Sequence, residues 1–162
     1  MDMSSTRATV PSGRRVAGPS PACSRATCAA DADESCVPQM RHFVLHCVRR
    51  LGVPESVCDT VCLVVSELVT NAVLHSGSRS VTVLVRIGPG DVLVAVRDSG
   101  QWCERSEPRQ STADGGVPFG RGLDLVRAAA DFCTIDSGPG GTVAAAGVRF
   151  EDVTSAPAGA VR

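Results

Sequence analysis

The spacing of apolar residues along this chain switches between a helical and a strand period. Across residues 37–51, VPQMRHFVLHCVRRL puts Met40, Phe43, Val44, Cys47, Val48 and Leu51 at helical intervals, and Gly52 with Pro54 ends the run. A second helix is predicted over residues 54–75, where Val57, Val61, Val64, Leu68 and Ala72 recur every three to four positions and Gly77 closes the segment. Period two then takes over. Val81, Val83, Val85 and Ile87 alternate with Thr82, Leu84 and Arg86, the turn GPGD reverses the chain, and Val92, Val94 and Val96 resume the alternation as a β-hairpin. A short helix over residues 123–130 leads to a final hairpin, residues 132–137 and 142–150, around GPGG. Residues 23–30 read as a short edge strand. The pattern predicts the α+β class: a two-layer sandwich with helices packed on one face of a mixed, mostly antiparallel sheet.

Three segments carry no period. Residues 1–22 are rich in Ser, Pro, Gly, Ala and Arg and cannot repay the entropy of ordering, so a disordered tail is expected there. Residues 153–162 are small and polar and read as a frayed end, which leaves one domain over residues 23–152. Residues 101–119, QWCERSEPRQSTADGGVPF, form a loop too long for a compact domain unless it works as a lid.

Composition narrows the chemistry. With 162 residues the chain is one domain's worth, and a formal net charge of -1 gives no electrostatic reason to expect nucleic acid or an anionic membrane as partner. There is no lysine, which excludes a P-loop lysine, a Schiff base and a lysine nucleophile. The 8 cysteines lie in apolar segments without framework spacing or a preceding signal peptide, and are read as reduced, small apolar residues of a cytoplasmic protein. Zinc is the sharper alternative, since His42, His46 and Cys47 lie close together, but no C-x-x-C knuckle accompanies them. The longest wholly apolar run, residues 61–65, is far short of the ~20 residues that span a bilayer, so a soluble protein is expected.

Four short motifs carry candidate chemistry. In SELVTNAVLHS, residues 66–76, Glu67, Asn71 and His75 stand four apart and share one helix face, with Ser66 and Thr70 beside them. That line meets either water or a ligand. Asp98 continues the parity of Val92, Val94 and Val96 and would point to the covered face of the sheet, where a carboxylate is costly without a partner; alternatively the strand ends at Arg97 and Asp98 begins a turn. Gly100 fits a turn or a close approach to a flat ligand. Gly120 and Gly122 frame FGRGLDLV, whose helix N-terminus offers amides suited to phosphate, although G-x-G before a helix is often only a tight turn. Gly140, Gly141 and Thr142 form a glycine turn into the last strand, with a simple hairpin as the plain reading.

In this order, the four motifs resemble those of the Bergerat ATP-binding superfamily of gyrase, heat-shock chaperone, histidine kinase and MutL ATPases. The wording SELVTNAVLHS and GRGLDLV looks most like the bacterial anti-sigma-factor serine/threonine kinase branch, over residues 37–150. The resemblance implies that ATP and Mg²⁺ are the cofactors, with Asn71 as the metal ligand and Glu67 as general base. It also implies that Asp98 accepts the adenine amino hydrogens, Gly100 admits the base edge, Gly120, Gly122 and Leu123 frame the phosphates and hinge the lid, and Thr142 reaches the adenine side. By the same resemblance the partners would be a sigma factor and an anti-sigma-factor antagonist phosphorylated on serine, and the chain could form a homodimer through its edge strand. One departure stands out: relatives extend the Asp motif to D-x-G-x-G, but the second glycine position here is Trp102. That favours the alternative of a nucleotide-dependent binding module that transfers no phosphate. Arg105, Arg109 and Arg121 could neutralise phosphate or simply be solvated.

Overall fold

The computed structural model describes residues 23–100 and 121–151. The expected N-terminal tail, the loop with Trp102, Arg105 and Arg109, the site candidate Gly120 and the C-terminal end lie outside the described residues. In chain order the elements are β1 (Ser24–Asp31), α1 (Cys36–Arg50), α2 (Glu55–His75), β2 (Ser80–Gly88), β3 (Asp91–Asp98), α3 (Gly122–Ala129), β4 (Phe132–Gly138) and β5 (Gly141–Arg149).

The strands form one sheet in the order β1-β2-β3-β5-β4. Where the sequence left room for a mixed sheet, each pairing between neighbours is antiparallel. β1 lies at the edge, as expected, but β5 inserts between β3 and β4, so the last strand of the chain sits beside the central one. Alternation decides which side chains face the helices. Val81, Val83, Val85 and Ile87 of β2 lie opposite Asp98, Val96, Val94 and Val92 of β3 and are buried on the same face. β5 adds Thr142, Ala144, Ala146 and Val148 to that face.

The helices cover this face. α1 buries Cys36, Met40, Val44 and Val48, a stripe repeating every four residues. Its end is a Schellman motif: Gly52, at φ +73°, donates its N–H to the Arg49 carbonyl, and Val53 donates to Val48. A left-handed backbone there needs glycine, which is why the helical pattern stops at Gly52. α2 is long and apolar enough by length and composition alone to cross a membrane. Here it is a core helix, with Val57, Cys58, Val61, Val64, Val65, Leu68, Val69 and Ala72 buried against α1 and the sheet.

The seven described cysteines are free thiols. Burial pushes the thiols of Cys36, Cys47, Cys58 and Cys133 above their ordinary range, which suppresses the reactive thiolate and suits their role as apolar filler. His42 and His46 are exposed on α1 while Cys47 turns partly into the core. Among the described residues no group of three or more His, Cys, Asp and Glu side chains is arranged to hold a metal.

Candidate functional site

The expected polar line on α2 is graded in depth. Glu67 and Asn71 are half-buried and His75 is exposed. Asn71 Nδ2 is buried and has no hydrogen-bond partner among the described residues. Leaving a buried amide unpaired costs about 1–3 kcal/mol, so nothing among the described residues accounts for an asparagine here. A half-turn of the same amide would put its oxygen where the nitrogen now stands.

Glu67 lies one turn earlier and touches the start of α3. A Cβ added to Gly122 would come within 2.2 Å of Glu67 Oε2, so glycine lets the α3 backbone close over the carboxylate. The first turn of α3 carries no side-chain cap, and Leu123 packs partly against the core. Arg121, just before the helix, is exposed.

Asp98 closes β3 on its core-facing side and is only 3 % exposed, so the strand continues through it as its parity predicted. Its Oδ1 accepts the N–H of Gly100 at 2.8 Å. Directly opposite in the sheet is Thr142, fully buried, whose Oγ1 donates to the Gly100 carbonyl at 3.1 Å and lies 3.1 Å from Ser137 Oγ. Gly141 holds φ +113° with its Cα against the Asp98 carbonyl, a position where a Cβ would sit 2.0 Å from that oxygen. Asp98, Gly100 and Thr142 therefore form one interlocked cluster on two strands.

Gly100 also joins this cluster to the helix. A Cβ there would lie 1.8 Å from the Ser76 carbonyl oxygen, so the turn after β3 rests directly on the end of α2. With a rise of about 1.5 Å per residue, Asn71 lies about 7 Å along the helix axis from Ser76, and Glu67 about 6 Å further. Gly100 thus joins the Asp98 turn to the C-terminal end of α2, and Gly122 brings the start of α3 against Glu67 further up the same helix. The sequence reading missed Ser76, Ser78 and Ser99, which tie the α2 end to the Asp98 turn. For Ser76 and Ser78 the only signal was the hydroxyl-rich SGSRS after the helix, and for Ser99 its place in DSG, compositions that suit side-chain-to-backbone turns.

Two comparisons with known proteins bear on this arrangement. The solved structure of the RsbU and RsbW domains of Rv1364c from Mycobacterium tuberculosis superposes with a TM-score of 0.61 at 23 % identity, covering 86 % of this chain. The chain spans 35 % of that protein, so the likeness is one of fold. No curated protein matches the chain. The profile of the histidine kinase-like ATPase domain matches residues 30–146, which takes in α1, α2, the Asp98 turn, α3 and most of β5. That span covers well over half of the sequence and contains every site candidate named above, and the chain belongs to the histidine kinase-like ATPase domain family.

Proposed function

We propose that this protein is an ATP-binding regulator that uses Mg²⁺ and phosphorylates a serine on a partner protein in the cytoplasm, as a serine/threonine kinase of the anti-sigma-factor type. The observation that carries the reading is the buried Asp98 carboxylate, braced by the Gly100 amide and facing Thr142, together with the α2 asparagine whose buried amide has no partner among the described residues.

Each residue has a task its surroundings suit. Asp98, a buried acceptor that faces the covered side of the sheet, would take the exocyclic amino hydrogens of adenine. Asn71, a neutral oxygen ligand, would fit a hard cation that keeps most of its waters and takes its remaining ligands from phosphate. Magnesium, when bound, would neutralise charge on the phosphates. Glu67 would take the proton of the attacking serine hydroxyl, and Gly122 leaves its carboxylate room beside the α3 amides. Gly120, Gly122 and Leu123 would frame the phosphates, with Thr142 on the adenine side. By this reading the partners are a sigma factor and its anti-sigma-factor antagonist, and the β1 edge is available for a homodimer.

Calorimetric titration with ATP and ADP, with and without Mg²⁺, tests the site. Binding should vanish in Asp98→Asn and lose its metal dependence in Asn71→Ala; a folded wild-type protein that binds neither nucleotide refutes the proposal. Radiolabel from ATP should then appear on a serine of the partner and be lost in Glu67→Ala with nucleotide binding kept. Trp102, at a glycine position of the D-x-G-x-G motif, favours the alternative of a nucleotide-dependent binding module, which is the outcome if binding is tight and label never transfers.

A further inference from the structure

A chain of three serines links the two halves of the site. Ser76 Oγ donates to the Ala72 carbonyl at 2.6 Å, on the residue next to Asn71, and accepts the Ser78 N–H at 3.0 Å. Ser78 Oγ then donates to the Ser80 carbonyl at 2.6 Å and accepts the Ser99 N–H at 3.1 Å. It also lies 2.8 Å from Ser99 Oγ. The Ser80 N–H also lies 3.3 Å from Ser78 Oγ, so this one hydroxyl gathers the Ser80 and Ser99 amides and the Ser99 hydroxyl. Both polar groups of Ser99 converge on one oxygen, with Ser99 standing between Asp98 and Gly100.

Ser78 is far in sequence from the turn it holds, and it serves the turn's orientation rather than its position. The packing of Gly100 on Ser76 sets how close the turn lies to α2. The Ser99 contacts bear on the next amide in the chain, that of Gly100, whose N–H holds Asp98 Oδ1 at 2.8 Å. Hydrogen bonds weaken steeply with misalignment, whereas on the proposed reading phosphate and metal contacts would be made from α2 and α3 and not from this turn.

We propose that Ser78 is a positioning residue that orients the Asp98 turn and so sets the preference of the site for a base bearing an exocyclic amino group. This rests on the nucleotide reading of the site given above. The test compares ATP with purine riboside triphosphate, which lacks the amino group, in wild type, Ser78→Ala, Ser78→Thr and Ser99→Ala. Wild type should favour ATP by about 10- to 100-fold, the value of a hydrogen bond to a charged group. Ser78→Ala should lose about tenfold of that preference while its affinity for the purine analogue changes little, and Ser78→Thr, which restores the hydroxyl, should recover it. Ser99→Ala should act in the same direction, and the double variant should be no worse than the more severe single one, because both remove one contact. An unchanged ATP-to-purine ratio in Ser78→Ala and Ser99→Ala, or an equal loss for both nucleotides, overturns the role of Ser78 while leaving the site intact. A wild-type protein that binds neither nucleotide overturns both.

Discussion

Replacing Gly100 by alanine adds a single methyl group in the worst place the described fold offers. The new Cβ would stand 1.8 Å from the Ser76 carbonyl oxygen, 2.4 Å from its carbon and 2.9 Å from Ser76 Cβ. Ordinary non-bonded contact begins at about 3.5 Å, so one side must retreat by about 1.7 Å. Neither side is free to do so. Ser76 is held by its N–H and its hydroxyl to the Ala72 carbonyl, and Gly100 is held at its N–H by Asp98 and at its carbonyl by Thr142. Overpacking of this kind costs about 1–3 kcal/mol, which for a domain of this size lowers Tm by roughly 5–20 °C. Relief by tilting the turn would swing Asp98 away from its present aim, so the thermal shift given by saturating MgATP should shrink as well. The control is Gly140→Ala, where a Cβ meets nothing within 4 Å. It should melt within about 3 °C of wild type. Thermal melts with and without MgATP decide the matter: a Gly100→Ala protein that melts with wild type and keeps its ligand shift would refute the packing argument.

Asn71→Leu should raise the Tm of the apo protein, because it removes a buried amide without a partner, and should abolish Mg²⁺-dependent nucleotide binding; a lower Tm would show that the amide is satisfied in solution. Gly122→Ala confronts only the end of the Glu67 side chain, so stability should change by less than about 1 kcal/mol while phosphotransfer falls by about 100-fold, read from melts and single-turnover transfer. Full activity in that variant would remove Glu67 from the reaction. Ahead of α1, hydrogen bonds from the Ser35 hydroxyl and N–H hold the Asp33 carboxyl below its ordinary range. A depressed folded pKa means that this contribution is present above the unfolded carboxylate range, near about 4, and is lost as pH falls through the lower folded value. The Tm advantage of wild type over Asp33→Ala should therefore be constant above that range and vanish below it.

What the sequence reveals and what it hides divide along physical lines. Period and turn chemistry are local, so α1, α2 and both hairpins could be placed within a residue or two, with Gly52 and Gly77 marking the helix ends by their positive φ. Parity is local too, which is why Asp98 could be assigned to the covered face before any partner was known. Sheet order is not local: the alternation in β5 says which side chains face inward but nothing of its place between β3 and β4. The same limit applies to Gly100. Read alone it suggests room for a ligand, whereas the structure gives it a second demand, the carbonyl of Ser76. Ser78 was illegible because a serine that holds a distant turn looks, in sequence, like a serine in any loop.

The place of β5 beside β3 has a consequence for how the molecule matures. Thr142 reaches the Gly100 carbonyl across 42 residues of sequence, so this corner cannot close until the last hairpin has been made and docked. A nascent chain lacking β5 can form α2 with Glu67 and Asn71, but not the opposite wall. Ligand capture would then wait on the docking of β5, and a chain interrupted before it would stay inert while its most recognisable helix was already in place.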